Sequence, residues 1–196
     1  MPGRLEFFFD YTSPFSYLAD TQLPGIARRT GAEIAYRPMF LGGVMHETGN
    51  QPPAALPARA RYLPTDIGRW VTRYGIEFAF NPHFPLQTLP ALRAAYAAQD
   101  AGVFPAYHSA LFRAAWAKPR NLSDTEVLRS VIAEAGLDPA PLLAAAASES
   151  LKARLKASTA EAVARGAFGA PTLFVGSEMF FGNDRLEFVE EALAAL

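Results

Sequence analysis

Leu5-Glu6-Phe7-Phe8-Phe9-Asp10-Tyr11-Thr12-Ser13-Pro14-Phe15-Ser16-Tyr17-Leu18 decides how the rest of the chain is read. Residues 5–9 have the length and aromatic content of a buried strand, and the apolar run closes at Asp10. Ser13 before Pro14 starts a helix, because the hydroxyl can accept a first-turn N–H and proline has no N–H to leave unpaired there. Phe15, Leu18, Leu23, Ile26 and Ala27 carry a helical apolar stripe past Pro24 to Gly31. The stretch from Glu33 to Phe40 then alternates as a second strand. A β-α-β opening predicts parallel strands joined by a right-handed crossover.

From Leu41 the texture changes. Gly42-Gly43 and Gly49-Asn50-Gln51-Pro52-Pro53 predict a long loop. Helices are expected at about 57–75, 88–102, 104–117, 123–136, 139–147 and 148–166, with no convincing strand among them. Ser123 followed three residues later by Glu126 reads as a capping box, and Gly136 and Gly166 suit helix stops. Residues 171–176 and 178–182 read as a hairpin about Gly176-Ser177, after which Asn183-Asp184 caps a last helix. Neither strand pair can bury a core alone, so the halves are expected to share one sheet. That predicts an α/β domain of residues 1–40 and 167–196, with residues 41–166 as an all-helical insertion subdomain.

Composition removes several classes of function. The 196 residues carry 18 Lys plus Arg against 19 Asp plus Glu, so no basic excess exists for nucleic acid or an anionic membrane surface. Apolar residues make up 51%, enough for a real core. We read no signal peptide at the N-terminus and no transmembrane run, and expect a cytoplasmic protein. Cysteine is absent, which removes disulfides and thiolate metal sites. His46, His83 and His108 lack metal-ligand spacing, and neither Ser13 nor Ser177 sits in a Gly-x-Ser-x-Gly elbow. His108 beside Tyr107 and Leu111 reads as packed, Trp70 and Trp116 as core or interface. Glu187, Glu190 and Glu191 read as a solvated helix face.

The element order, with a helix start after the first strand and Gly169-Ala170-Pro171-Thr172 before the third, resembles the thioredoxin-like fold. The resemblance implies a cis Pro171 facing the active helix. Ser13 and Ser16 stand where that fold usually carries Cys-x-x-Cys, so dithiol chemistry is excluded. A hydroxyl at a helix start can instead hold an external anion, including a thiolate.

More specifically, residues 9–19, 49–53, 59–66, 168–172 and 181–186 resemble, in the same order, the 2-hydroxychromene-2-carboxylate isomerases and kappa-class glutathione transferases. The resemblance spans essentially the whole chain and implies glutathione as cofactor, a small aromatic substrate and a homodimer. It implies a glutathione-dependent isomerase interconverting 2-hydroxychromene-2-carboxylate and trans-o-hydroxybenzylidenepyruvate, with glutathione transfer or simple glutathione or peptide binding as alternatives. Ser13 would contact the sulfur and Asn50 the sulfur or substrate region. Ala170, before Pro171, would pair its backbone with the cysteinyl part. Asn183 and Asp184 would hold the γ-glutamyl end, and Arg59 the glycyl carboxylate. Two positions depart from the family pattern. His46 lies near where the isomerases carry a substrate-binding lysine, and Gln87 stands where relatives usually show asparagine.

Overall fold

The computed structural model describes residues 3–196; residues 1–2, where the expected sheet domain begins, lie outside the described residues. Among the described residues, four strands form one sheet: β1 (Arg4–Phe9), β2 (Glu33–Pro38), β3 (Thr172–Val175) and β4 (Glu178–Phe181), in the order β2-β1-β3-β4. β1 runs parallel to β2, with Leu5 opposite Ile34, and antiparallel to β3, with Phe7 opposite Leu173. β3 and β4 form the expected antiparallel hairpin. The aromatic run of β1 is buried on both faces, as a central strand requires. Phe7 and Phe9 enter the main core, whereas Phe8 faces the other way onto Phe174, Met39 and Val44.

The crossover from β1 to β2 contains two helices rather than one, α1 (Pro14–Asp20) and α2 (Leu23–Thr30). Thr21 Oγ1 donates back to Leu18 O at 2.7 Å, and Pro24 has no N–H to continue the ladder, so the stripe breaks between them. Gly31 at φ 72 closes α2.

Every regular element between β2 and β3 is helical: α3 (Leu41–Thr48), α4 (Pro57–Tyr74), α5 (Leu89–Asp100), α6 (Phe104–Phe112), α7 (Thr125–Glu134), α8 (Pro139–Ala146) and α9 (Glu149–Ala164). A π-helical turn, Arg113–Ala117, extends α6. α3 corrects the loop expected from Leu41. Its N-cap residue Phe40 offers no side-chain acceptor, and Asp10 of the β1 end accepts from Leu41 N at 2.9 Å instead. The expected capping box is also corrected. Asp124 caps α7, accepting from Glu126 N at 2.8 Å, while Ser123 Oγ accepts from Gln87 N at 2.8 Å. After β4, a 3-10 turn (Asn183–Arg185) precedes α10 (Leu186–Ala194), so Asn183 and Asp184 do not cap that helix.

One continuous apolar cluster joins Leu5, Phe7 and Phe9 of the sheet to Tyr107, Trp116 and Leu128 of the helical segment. His108 is packed as expected, with Nδ1 3.1 Å from the Tyr11 hydroxyl and Nε2 2.9 Å from Asp20. Trp116 is buried and donates its Nε1–H to Tyr11 O at 2.8 Å. The acidic face of α10 is not wholly solvated: Glu190 pairs with Arg29, which holds its carboxyl below the usual range, and Glu187 pairs with Arg73. Among the described residues, no helix is long and apolar enough to cross a membrane.

Candidate functional site

A cavity of about 670 Å³ opens where β1 ends, walled by the Ser13 turn, the α3–α4 connection, one face of α4 from Arg59 to Trp70, residues 84–88 and the segments on either side of the β3–β4 hairpin. Ser13, Asn50, Arg59, Ala170, Asn183 and Asp184 all contribute to its wall. The fold therefore gathers residues from distant parts of the sequence into one place.

Ser13 is buried and caps α1, its Oγ accepting from Ser16 N at 3.1 Å. The same hydroxyl donates to Ala170 O at 3.0 Å, across 157 positions of sequence. The Ala170–Pro171 peptide is cis, as the resemblance implied. Pro171 itself stands behind the wall, and its carbonyl accepts from Gly182 N at 3.0 Å. Ala170 N–H makes no hydrogen bond among the described residues, which leaves one backbone donor on the cavity wall.

Asn50 lines the cavity and also ties two segments of its wall together. Its Nδ2 donates to Phe168 O at 2.7 Å, and its Oδ1 accepts from Gln51 N at 2.8 Å. The side chain thus ties the α3–α4 connection to the segment before Ala170. Asn183 is buried; its carbonyl accepts from the Tyr74 hydroxyl at 3.0 Å, which binds the end of α4 to the turn after β4. Asp184 stays half-exposed on the wall and pairs with Arg185 at 2.6 Å. Gly182 takes φ 96, and a Cβ there would collide with the Asp184 carboxylate. Arg59, in the first turns of α4, is exposed at the cavity wall and makes no ion pair among the described residues.

His46 is not brought to the site. Its side chain is 86% exposed beside Glu47, and Met45 takes the place on the cavity wall. α3 decides this, because neighbouring residues on a helix point about 100° apart, so one can face the cavity while the next faces solvent.

Asp10, which in the sequence marks only the end of the first strand, holds the site together. It is wholly buried at the cavity floor, and its carboxylate accepts from Thr12 N at 3.0 Å, Thr88 Oγ1 at 2.6 Å and Leu41 N at 2.9 Å. Burial pushes its pKa up and the three donors pull it back, with the net displacement upward. The carboxylate thereby pins the Ser13 turn, α3 and the start of α5 to one another. The available signal was a charged residue directly after a fully apolar strand. Residues 84–86 also shape the site: Phe84–Pro85 is cis, and Leu86 N donates to Thr12 Oγ1 at 3.2 Å.

A shared β-α-β and β-β-α sheet, with a cis-proline segment against the first helix start, defines a thioredoxin-fold protein whose usual thiol pair is replaced by serines. The chain belongs to the DSBA-like thioredoxin domain family, whose sequence model matches residues 4–194. It is similar to the 2-hydroxychromene-2-carboxylate isomerase of Sphingobium xenophagum, at 32% identity over 195 residues, covering 98% of this chain and 99% of that one. It is also similar to glutathione S-transferase kappa 1 of Rattus norvegicus, at 28% identity, covering 95% and 88% of the two chains. Among solved structures, a 2-hydroxychromene-2-carboxylate isomerase superposes with a TM-score of 0.87 at 31% identity, covering 98% and 95%.

Proposed function

We propose that this protein is a glutathione-dependent isomerase that acts on a hydroxychromene-type carboxylate or a related aromatic compound, with Ser13 at the sulfur. The observation that carries the reading is the Ser13–Ala170 hydrogen bond, which sets a hydroxyl donor beside a backbone carbonyl on the cavity wall. The walls fit the tripeptide. Ala170 offers a free N–H and a carbonyl to an extended backbone, Arg59 suits a carboxylate, and Asp184 suits an ammonium. When bound, glutathione supplies a thiol nucleophile that the chain, lacking cysteine, does not have.

The chain's own residues bind and orient. The ligand's cysteinyl N–H takes the Ala170 carbonyl in place of the Ser13 hydroxyl, and Ser13 is then free to donate to sulfur. α1 has only seven residues and its Ser16 N–H is already capped, so the hydroxyl rather than the helix end carries the effect. Leu63, Trp70, Phe84 and Leu86 give the remaining wall an apolar character suited to an aromatic ring.

A second reading, conjugation of glutathione to an uncharged electrophile, is favoured by the charges on the wall. Arg59 is the one cation there among the described residues, against Asp10, Asp66 and Asp184. With Arg59 on the glycyl carboxylate, a substrate carboxylate would have no cationic partner. Product analysis separates the two readings, because an isomerase returns the thiol and a transferase consumes it.

Millimolar glutathione is expected to raise the melting temperature, since a ligand of the native state stabilises it by mass action. An unchanged melting temperature at millimolar glutathione would count against both readings. Arg59→Ala is expected to weaken glutathione binding by about 1.5–3 kcal/mol, the worth of a charge-assisted hydrogen bond, with the melting temperature of the free protein unchanged. Calorimetric affinity equal to wild type would remove Arg59 from the site.

A further inference from the structure

Outside the catalytic cavity, a groove of about 540 Å³ runs between α3, α5 and α9. Its floor is apolar, made by Phe40, Leu89, Leu155 and Val163, and Arg93, Lys152 and Lys156 rise around it. The acidic groups facing these cations are Glu47 from α3 and Glu149 at the start of α9. Lys152 is paired with Glu149 at 2.6 Å, whereas Arg93 and Lys156 make no ion pair among the described residues. Arg93 Nε is moreover buried without a hydrogen-bond partner among the described residues. Arg93 therefore stands in the groove wall with neither an ion pair nor a side-chain hydrogen bond among the described residues.

We infer that this groove binds a small carboxylate with an apolar body, its head between Arg93 and Lys156 and its body on Phe40, Leu155 and Val163. The assignment follows from the pairing of an apolar floor with unpaired cations. A bare inorganic anion would leave the floor uncovered, and an uncharged apolar molecule would leave Arg93 unpaired. The groove shares only Phe40 with the catalytic cavity. Phe40 N donates to Thr159 Oγ1 at 2.9 Å, which fixes the common wall to α9. The groove is thus a second site and does not depend on the glutathione reading.

The test is titration calorimetry of the full chain with decanoate, decanol and inorganic phosphate. Decanoate is expected to bind with one-to-one stoichiometry, and decanol and phosphate at least about tenfold more weakly. Arg93→Gln and Lys156→Gln are each expected to weaken decanoate by about fivefold or more, and Arg59→Ala to leave it unchanged. Lys156 is exposed, so its substitution tests the head-group contact without threatening the fold. Absent decanoate binding, equal affinity for decanol, or unchanged affinity in both groove variants would overturn the proposal. So would loss of binding in Arg59→Ala, which would place the ligand in the catalytic cavity. Sedimentation showing a dimer that Lys156→Glu dissociates would overturn it as well, because a second copy would then cover the groove.

Discussion

Ser13→Ala is expected to lower turnover about tenfold or more while weakening glutathione less than about threefold. Free thiols of this type titrate near 8.5, so only a small fraction is nucleophilic at neutral pH. A hydroxyl that donates to the sulfur favours the anion, and we expect the bound thiol to titrate at least about one unit lower, worth roughly 1.4 kcal/mol. Turnover in wild type should then rise with pH through this lowered value and level off. In Ser13→Ala the midpoint returns toward 8.5, so the deficit is greatest below the lowered value and shrinks at higher pH. Ala170 N–H and Asp184 remain, which is why affinity should suffer little. Ultraviolet thiolate absorbance of the two complexes against pH provides the check. Coincident titrations would reduce Ser13 to a helix cap, with its hydroxyl serving Ser16 N and Ala170 O alone.

Asp10→Ala should be the most destabilising single change at the site. It leaves Thr12 N, Thr88 Oγ1 and Leu41 N without their acceptor at once. An orphaned buried donor costs about 1–3 kcal/mol, and cavity water can relieve part of this, so a loss of roughly 3–5 kcal/mol is expected. For a chain of this size that lowers the melting temperature by about 8–15 °C. Asp10→Asn should fall between, since one oxygen can still accept while its amide meets Leu41 N donor to donor. Glutathione affinity should fall with stability in both variants, because Leu41 and Thr12 frame the cavity. A melting temperature within about 2 °C of wild type in Asp10→Ala would show that the three donors find other partners.

Most of the sheet was legible because its signals are local. The run Leu5 to Phe9 reads as a buried strand, and Gly176-Ser177 between two short apolar stretches leaves a hairpin as the economical reading. Ser13-Pro14 announced a helix start, and the start lies there. The site was legible for a different reason. Serine rather than cysteine at positions 13 and 16 excludes dithiol chemistry there before any coordinate is known. Helix boundaries failed where the deciding partner was remote. Ser123 looked like a cap but spends its hydroxyl on Gln87 N, and Asp124 takes over. His46 looked like a replacement for a basic residue, yet the pitch of α3 turns it to solvent.

The sequence by itself determined a sheet assembled from both ends of the chain, a helical segment between them, and a serine in place of a reactive thiol. Each of these follows from periodicity, proline and glycine placement, or residue identity, which act within a few positions. Only the tertiary structure decided that Leu41–Thr48 is helical, that Asn50 spends its amide on Phe168 O, and that Asp10 holds three segments around one cavity. A buried carboxylate must find donors wherever the fold supplies them, and here they come from residues 12, 41 and 88. No local pattern encodes such a partnership, because it exists only once β1, α3 and α5 have packed together.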